Sequence, residues 1–296
     1  MKKTILIFMC LLMVTGNAFC QSVERSVVAG AGDYFEGTTA SLSWTLGEIA
    51  TETLENGNVV LTQGFQQPDI ILRIYVDITA FLEGPFNGSG MNHDLSDLDL
   101  LPVFQPYNMP PWNYPGTESL GIVPIPNKVD WVLIELRDAP DAASATAATM
   151  VARQAALLLS DGSVVKPNGQ PDLEFDVTIQ NQLFAVIWHR NHLGMMSAFP
   201  LAKISGVYAY NFTTALGMAY LNGQKSLGPD WDAFGMVSGD ADANGTVENP
   251  DKNSFWTLQA GQKGYRSADF NMDGNVSNPD KNDMWYVNRG ASETVP

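Results

Sequence analysis

The chain has almost no cysteine. Of its 296 residues only Cys10 and Cys20 are cysteines, and both lie in the first twenty positions. Residues 1–20 have a basic start, an apolar core over 5–14 and a small-residue end, which predicts a signal peptide. Cys20 leaves lipidation open, although Phe19 is an unfavourable residue for a lipobox. We therefore expect a secreted, extracellular or cell-surface protein without disulfides, thiolate metal sites or a cysteine nucleophile.

Basic residues are also scarce. The chain has 16 Lys and Arg against 32 Asp and Glu, a formal net charge of −16, or −18 without the two lysines of the signal peptide. Such a surface repels phosphate backbones and anionic lipid, so we expect no nucleic-acid partner. The apolar run in the signal peptide is too short to span a bilayer and no later run replaces it, so we expect no transmembrane segment.

Recognisable catalytic motifs are missing as well. The chain has no Gly-x-Ser-x-Gly elbow, P-loop or dinucleotide fingerprint. Glycoside hydrolysis needs two facing carboxylates, and Glu83, Glu118, Glu135 and Glu174 form no recognisable pair in the sequence. We therefore predict no catalytic residues. A polysaccharide-active hydrolase with an unfamiliar site stays a lesser alternative.

What the chain does have is a pair of acidic loops, at 240–251 and 269–280. Both carry oxygen side chains at positions 1, 3, 5 and 12, an apolar residue at 8, and glycine at 6, Gly245 and Gly274. This is the spacing of a calcium loop, in which the carbonyl at position 7 adds a further oxygen. Two copies in register predict two calcium ions.

The similarity extends beyond the loops. Residues 251–261 align with 280–290 at the same offset of 29 residues, and each segment ends at glycine, where a helix C-cap is expected. The residues ahead of both loops are too short or too glycine-rich for an incoming helix. The unit is therefore a loop followed by a helix, twice. Six apolar positions are expected to pack the two helices together: Phe255, Trp256, Leu258, Met284, Trp285 and Val287.

This loop–helix repeat, with Asp at position 12, resembles the type I dockerin domain. The resemblance implies calcium ligands in both loops, with Glu248 and Ser277 acting through water. In the first loop the ligands are Asp240, Asp242, Asn244, Asp251 and the Thr246 carbonyl; in the second they are Asp269, Asn271, Asp273, Asp280 and the Asn275 carbonyl. It also implies docking to a cohesin-like or cell-surface protein, linked to extracellular polysaccharide degradation. Both loops depart from cellulosomal dockerins by having Asn-Pro at positions 10 and 11.

Short alternating strands with turn residues between them indicate a mainly β protein elsewhere. Strands are predicted over 40–46, 70–82 and 183–188, and hairpin turns at Asn56-Gly57 and Asp161-Gly162. The expected fold is a β-sandwich-like central domain followed by a small α-helical, dockerin-like double calcium-loop domain.

Residues 42–48 together with residues 61–67 resemble an N-terminal module of secreted Gram-negative bacterial proteins that use type IX export. Residues 70–215 resemble an uncharacterised sandwich-like domain that precedes paired calcium loops; the matching segments are 81–85, 111–118, 131–138 and 189–194. The predicted boundaries are a signal peptide at 1–20, a short-strand module at 21–68, the sandwich at 69–215, a linker at 216–232 and the dockerin-like domain at 233–296.

Two residue groups in the central domain have alternative interpretations. His189 and His192 predict either a transition-metal or ligand site, or a turn whose imidazoles bond the backbone. Tyr107, Trp112 and Tyr114 predict either an aromatic platform for sugar rings or a cover over the sandwich. The protein is expected to be a non-catalytic calcium-binding docking protein. The alternative is a calcium-stabilised, hemagglutinin-like adhesin that binds glycan.

Overall fold

A computed structural model describes residues 73–121 and 124–296, and before them the backbone of four strands. The predicted signal peptide lies outside the described residues. Residues 1–70 and 71–296 form two compact units. The strands of the first unit are β1 (Ala31–Glu36), β2 (Ser41–Leu46), β3 (Thr53–Asn56) and β4 (Val59–Thr62). β1 pairs antiparallel with β2, and β3 with β4, which confirms the strand predicted at 40–46 and the hairpin predicted at Asn56.

The second unit is built on two larger sheets and one two-stranded sheet formed by its last two strands. Its strands are β5 (Arg73–Thr79), β6 (Lys128–Ala139), β7 (Met150–Leu159), β8 (Val164–Val165), β9 (Leu173–Asp176), β10 (Gln182–Trp188), β11 (Met195–Met196), β12 (Ala202–Ile204), β13 (Val207–Asn211), β14 (Lys225–Ser226) and β15 (Phe234–Gly235). One sheet has the order β11-β10-β6-β7-β8 and is antiparallel throughout; the other has the order β12-β13-β5-β9, with β13 and β5 parallel. The prediction of a mainly β protein is confirmed. The strand predicted through Leu82 ends earlier, at Thr79.

The two sheets share one hydrophobic core. β5 alternates buried and exposed residues along its length, as a strand with one solvated face does. β6 lies at the centre of the five-stranded sheet and is buried on both faces, which matches its nearly continuous apolar sequence. Val132, Ile134 and Leu136 on one face of β6 join Val76 and Ile78 of β5 in the same core cluster.

The proline-rich loop over 102–121 covers the other face of β6. Tyr107 is fully buried, and its hydroxyl donates to the Trp131 carbonyl over 2.7 Å. Tyr114 is also buried and joins Trp131 and Leu133 in a second cluster. For these two tyrosines the cover interpretation is therefore correct and the open sugar platform is wrong. Trp112 differs, because it stays partly exposed.

The described helices are short. A one-turn helix spans Asp94–Asp97, and 3-10 turns span Ala142–Ser144, Ala147–Thr149, Leu216–Met218 and Tyr220–Asn222. Each acidic loop leads into a helix that begins in π geometry, over Asp251–Trp256 and Asp280–Trp285, and ends in α geometry, over Thr257–Gln259 and Tyr286–Asn288. Within the described part of the chain, no helix is long and apolar enough to cross a bilayer.

Leu258 and Val287 do not pack the two repeat helices together. They are 70% and 61% exposed, whereas Trp285 is buried. The expectation for these two positions was therefore wrong. The helices begin in π geometry, which turns successive side chains through a different angle from the α-helical spacing that the expectation assumed.

The segment predicted as a linker, 216–232, packs against the sheets. The buried Gln224 side chain donates to the carbonyls of Phe212 and Ala215 over 3.0 and 2.7 Å. Residues 71–296 are accordingly one compact unit, in which the sheets and the acidic loops belong to the same body.

Candidate metal centre

The first loop gathers three carboxylates. Ligand oxygens of Asp240, Asp242 and Asp251 all lie within 4.8 Å of one another, a geometry suited to a metal ion. Asp240 and Asp251 are buried, although the loop lies next to solvent. Asp251 begins the first repeat helix, so the helix start fixes position 12 against position 1. Its two oxygens accept from the amides of Ala241 and Glu248, each over 2.7 Å.

The second loop repeats this hydrogen bonding. Asp280 begins the second repeat helix, and its oxygens accept from the amides of Phe270 and Ser277, each over 2.7 Å. Asp269 is fully buried; its Oδ2 accepts from the Gly274 amide over 3.0 Å, whereas its Oδ1 is buried without a hydrogen-bond partner. A buried carboxylate oxygen with no donor is costly unless a cation balances it. The donor set of this loop therefore fits a cation.

Both loops turn through left-handed backbone at position 4 and again at the position-6 glycine. The φ angles are +55° at Ala243 and +84° at Gly245, and +64° at Met272 and +82° at Gly274. These turns direct amide groups at the position-1 carboxylates, since Gly245 donates to Asp240 as Gly274 does to its counterpart. The loops therefore fold back on their own acidic side chains.

The remaining predicted ligands lie in the loops but bond locally. The side-chain oxygens of Asn244 and Asp273 accept from the amides two residues later, over 2.9 and 2.8 Å. Asn271 does the same over 3.1 Å. The position-7 residues Thr246 and Asn275 form isolated bridges with Ser292 and Lys263. In both loops the ligands at positions 1 to 7 thus lie in the acidic turn, and the position-12 ligand lies at the start of the helix. Among the described residues, the three carboxylates that converge are those of the first loop.

Burial perturbs the acidic groups strongly. The pKa of Asp240 is raised to about 7, chiefly by burial and also by the neighbouring carboxylates of Asp251 and Asp242, while the hydrogen bond from the Gly245 amide lowers it. Burial likewise raises the pKa of Asp269 to about 7, although the guanidinium of Arg190 opposes it. The pKa values of Asp251 and Asp280 are also raised, again chiefly by burial. The loops thus hold carboxylates whose ionised form is only partly compensated by amide donors and, at Asp269, by Arg190.

The two repeats complete each other. Val247 of the first loop pairs with residues 290–291 after the second helix, and Val276 of the second loop pairs with 261–262 after the first. The indole of Trp285 donates to the Glu248 carbonyl and that of Trp256 to the Ser277 carbonyl, both over 2.7 Å. Each repeat therefore makes the same contacts with the other, through residues that are equivalent at the 29-residue offset.

A buried polar network joins the second loop to the five-stranded sheet. Asp130 of β6 accepts from Arg190 Nε over 2.8 Å and from the Tyr265 hydroxyl over 2.7 Å, and Arg190 also donates to the Arg266 carbonyl. Asn191 Nδ2 donates to the carbonyl of Asp269 over 2.7 Å. The chain after β10 therefore fixes the position of the second loop.

The two histidines belong to this network. Gly84 N donates to His192 Nε2 over 3.2 Å, so His192 carries its proton on Nδ1, which lies 3.0 Å from His189 Nδ1. His189 then carries its proton on Nε2, 3.2 Å from Asp130. Burial lowers the pKa of both imidazoles and favours these neutral forms. All four ring nitrogens have protein partners, which favours the turn interpretation over a transition-metal site.

A second contact set ties the repeat to the rest of the unit, and the sequence pattern did not predict it. Glu83 accepts from Lys225 Nζ and Asn288 Nδ2, each over 2.6 Å, and from the Ser238 amide over 3.0 Å. Glu83 was noted in the sequence as a carboxylate without a role. Its position directly after a strand-like run was the available signal, and its partners lie too far along the chain to be read from spacing.

We compared the chain with protein-family profiles, curated protein sequences and solved structures. None of the three gives a match. The geometry of the loops and sheets is thus the basis for assigning a function.

Proposed function

We propose that this chain is a secreted, non-catalytic calcium-binding protein whose C-terminal repeat is a dockerin-like docking module. The observation that carries the proposal is the convergence of Asp240, Asp242 and Asp251 within 4.8 Å, two of them buried. Like charges at this distance repel one another strongly in a poorly solvated loop, and a bound cation would offset this repulsion. In the same proposal the two sheets with their shared core form a β-sandwich that carries the module.

Calcium is the cation that the donor set favours. Every predicted ligand is an oxygen, from carboxylates, amides or backbone carbonyls, and hard oxygen donors in a flexible loop suit Ca²⁺ rather than Zn²⁺ or copper. The unpartnered Oδ1 of Asp269 supports a second ion in the second loop. The proposed ligands are the ten residues of the two loops that the sequence pattern assigned.

Docking is supported by what the two helices leave exposed. Leu258 and Val287 occupy equivalent positions in the two repeats and are 70% and 61% exposed, and Tyr286 beside Val287 is 63% exposed. Large apolar side chains repeated at equivalent positions of a paired helical surface are typical of an interaction site. We assign this surface to a cohesin-like or cell-surface protein, in connection with extracellular polysaccharide degradation.

Calcium binding is tested by titrating the mature chain, residues 21–296, with Ca²⁺ in an isothermal calorimeter. We expect two sites in the wild type and one in Asp269→Asn, which keeps the side-chain shape but removes a charge. Asp283→Asn is the matched control, because Asp283 is an exposed acidic residue of the second repeat helix. Two unchanged sites in Asp269→Asn, or no calcium heat in the wild type, would overturn the assignment.

Docking is tested by binding the immobilised chain to envelope proteins of the producing organism, in calcium and in EDTA. We expect calcium-dependent retention that is lost in the double variant Leu258→Asp and Val287→Asp. Phe104→Asp is the control, because Phe104 is 67% exposed and lies in the proline-rich loop. Equal retention by both variants, or retention that ignores EDTA, would rule out docking through this surface.

A further inference from the structure

A cavity of about 310 Å³ lies on the outer face of the five-stranded sheet, beside the first acidic loop. Its volume is at the lower end of the range of roughly 300–1,000 Å³ for small-molecule sites. We call it the Trp112 pocket. The lining residues used below are Trp112, Glu135, Arg153, Trp188, Gly194 and Glu293.

Three neighbouring strands build its floor. Glu135 of β6 lies directly across from Arg153 of β7, and on the other side β6 pairs with β10, which ends at Trp188. Trp188 Nε1 donates to Glu135 Oε2 over 3.3 Å. These residues share the face that carries Trp131 and Leu133, so the pleat of the sheet brings them together.

The walls come from two loops. Trp112 packs edge-on against the buried Tyr107 ring, with centroids 4.9 Å apart, and its carbonyl accepts from Arg153 over 2.8 Å. Opposite, the Glu293 amide donates to the Gly245 carbonyl over 2.9 Å, which holds the C-terminal segment against the first acidic loop. The pocket is therefore preformed by fixed elements.

Gly194 keeps the base of the pocket narrow. A Cβ atom there would lie 2.4 Å from the Trp188 ring and 3.1 Å from a Glu293 carboxylate oxygen. Any side chain at this position would displace the indole or the carboxylate. The backbone approaches the ring closely because residue 194 has no side chain.

The charges of the lining are balanced. Glu135 Oε1 accepts from Arg137 Nε over 2.8 Å, so its charge is compensated inside the protein. That leaves the guanidinium of Arg153 on the floor and the carboxylate of Glu293 on one wall, besides Asp240 of the acidic loop assigned to the metal. With the charge of Asp240 taken up by the proposed calcium ion, on which this step rests, the pocket offers hydrogen-bond donors and acceptors without a net charge of its own. Such a lining disfavours a strongly cationic or anionic ligand.

We propose that the Trp112 pocket binds a single neutral sugar ring. Two indoles supply apolar surface for the C–H faces of a pyranose, and the guanidinium of the floor and the carboxylate of one wall supply partners for its hydroxyl groups. In this proposal a half-open pocket, in which Trp112 acts with Trp188, replaces the aromatic platform of Tyr107, Trp112 and Tyr114 that was one interpretation of the sequence. The site stands independently of the docking surface, which lies on other residues.

The test is saturation-transfer NMR and calorimetry on residues 21–296 in calcium buffer. The probes are the methyl glycosides of glucose, galactose, mannose and xylose, with methyl glucosaminide and methyl glucuronide as charged counterparts. We expect at least one neutral glycoside to bind, and to bind more tightly than either charged glycoside. No binding by any neutral glycoside, or preference for a charged one, would overturn the proposal.

Variants locate the binding. We expect Trp112→Ala to weaken binding of the neutral glycoside at least about tenfold, and Phe104→Ala, an exposed aromatic outside the pocket, to leave it unchanged. Because Trp112 packs on Tyr107, its removal can also loosen the loop. Glu293→Gln keeps the size of the side chain and is expected to weaken binding with an unchanged melting temperature. Equal affinity in Trp112→Ala and Phe104→Ala, or wild-type affinity in Glu293→Gln, would place the sugar elsewhere and refute the site.

Discussion

Calcium is predicted to stabilise the fold more at pH 8 than at pH 5.5, because the buried carboxylates of the loops hold protons at the lower pH. In the folded, metal-free chain burial raises the pKa of Asp240 and of Asp269 from 3.8 to about 7. A raised carboxyl pKa means that the folded state holds its proton more tightly than the unfolded state does. The metal-free fold therefore loses stability as the pH rises from about 4 to about 7, and the loss is complete above that range.

The magnitude follows from the size of the shift. About three pKa units at about 1.4 kcal/mol each give roughly 4 kcal/mol per carboxylate as an upper bound. Calcium binds the ionised form, so protons compete with it below pH 7. At about pH 5.5 a group with a pKa near 7 lowers the apparent calcium affinity of its loop about thirtyfold.

The assay is thermal unfolding of residues 21–296 at pH 8 and at pH 5.5, in calcium and in EDTA. Free calcium at about one hundred times its Kd stabilises each site by about 2.7 kcal/mol, which corresponds to about 5–11 °C in a domain of this size. The same calcium concentration at pH 5.5 gives below about 1 kcal/mol per site. Comparing calcium with EDTA at each pH cancels the titration of all other groups.

Equal melting temperatures in calcium and EDTA at pH 8 would refute metal binding. A calcium-induced shift that is equal at both pH values would refute the contribution of the buried carboxylates. Magnesium chloride at the concentration of the calcium salt is the control for ionic strength, and we expect it to produce a much smaller shift.

Three substitutions, one of them paired with a control, test the contacts that hold the second loop in place. Gly274→Ala is expected to destabilise the fold more than the control Gly261→Ala in chemical denaturation. Both glycines have φ near +82°, but an added Cβ would lie 2.8 Å from the Leu100 side chain at position 274 and would meet open space at position 261. Equal losses would show that backbone strain alone matters. Asn191→Ala removes the donors to the carbonyls of Ser267, just before the loop, and of Asp269, its first residue. It should cost about 1–3 kcal/mol and weaken calcium binding in calorimetry; unchanged affinity would contradict this. Asp130→Asn leaves a buried guanidinium without its counter-charge and should cost about 3–5 kcal/mol in urea unfolding; a loss below about 1 kcal/mol would contradict this.

Local pattern predicted the local structure well. The alternation at 40–46 gave β2, the apolar run at 183–188 gave β10, and the Asp161-Gly162 turn gave the hairpin between β7 and β8. These elements depend on residues a few positions apart, which sequence spacing shows directly. The repeated acidic loops are visible for the same reason.

What the sequence could not show was which distant residues complete the loops. Asn191 and Asp269 are 78 positions apart, and Glu83 and Asn288 are 205 apart. Such contacts depend on the arrangement of the sheets, which no periodicity encodes. The exposure of Leu258 and Val287 was missed because an α-helical spacing was assumed where each helix begins in π geometry.

The exchange between the two repeats has a consequence for the unit taken singly. The backbone of each loop forms its hydrogen bonds with the residues that follow the helix of the other repeat. A single copy would therefore leave these backbone groups without partners, both in its loop and after its helix. A lone 29-residue copy would find its missing half only in a second, identical copy. The smallest complete form of this motif is therefore a pair, whether joined in one chain or assembled from two.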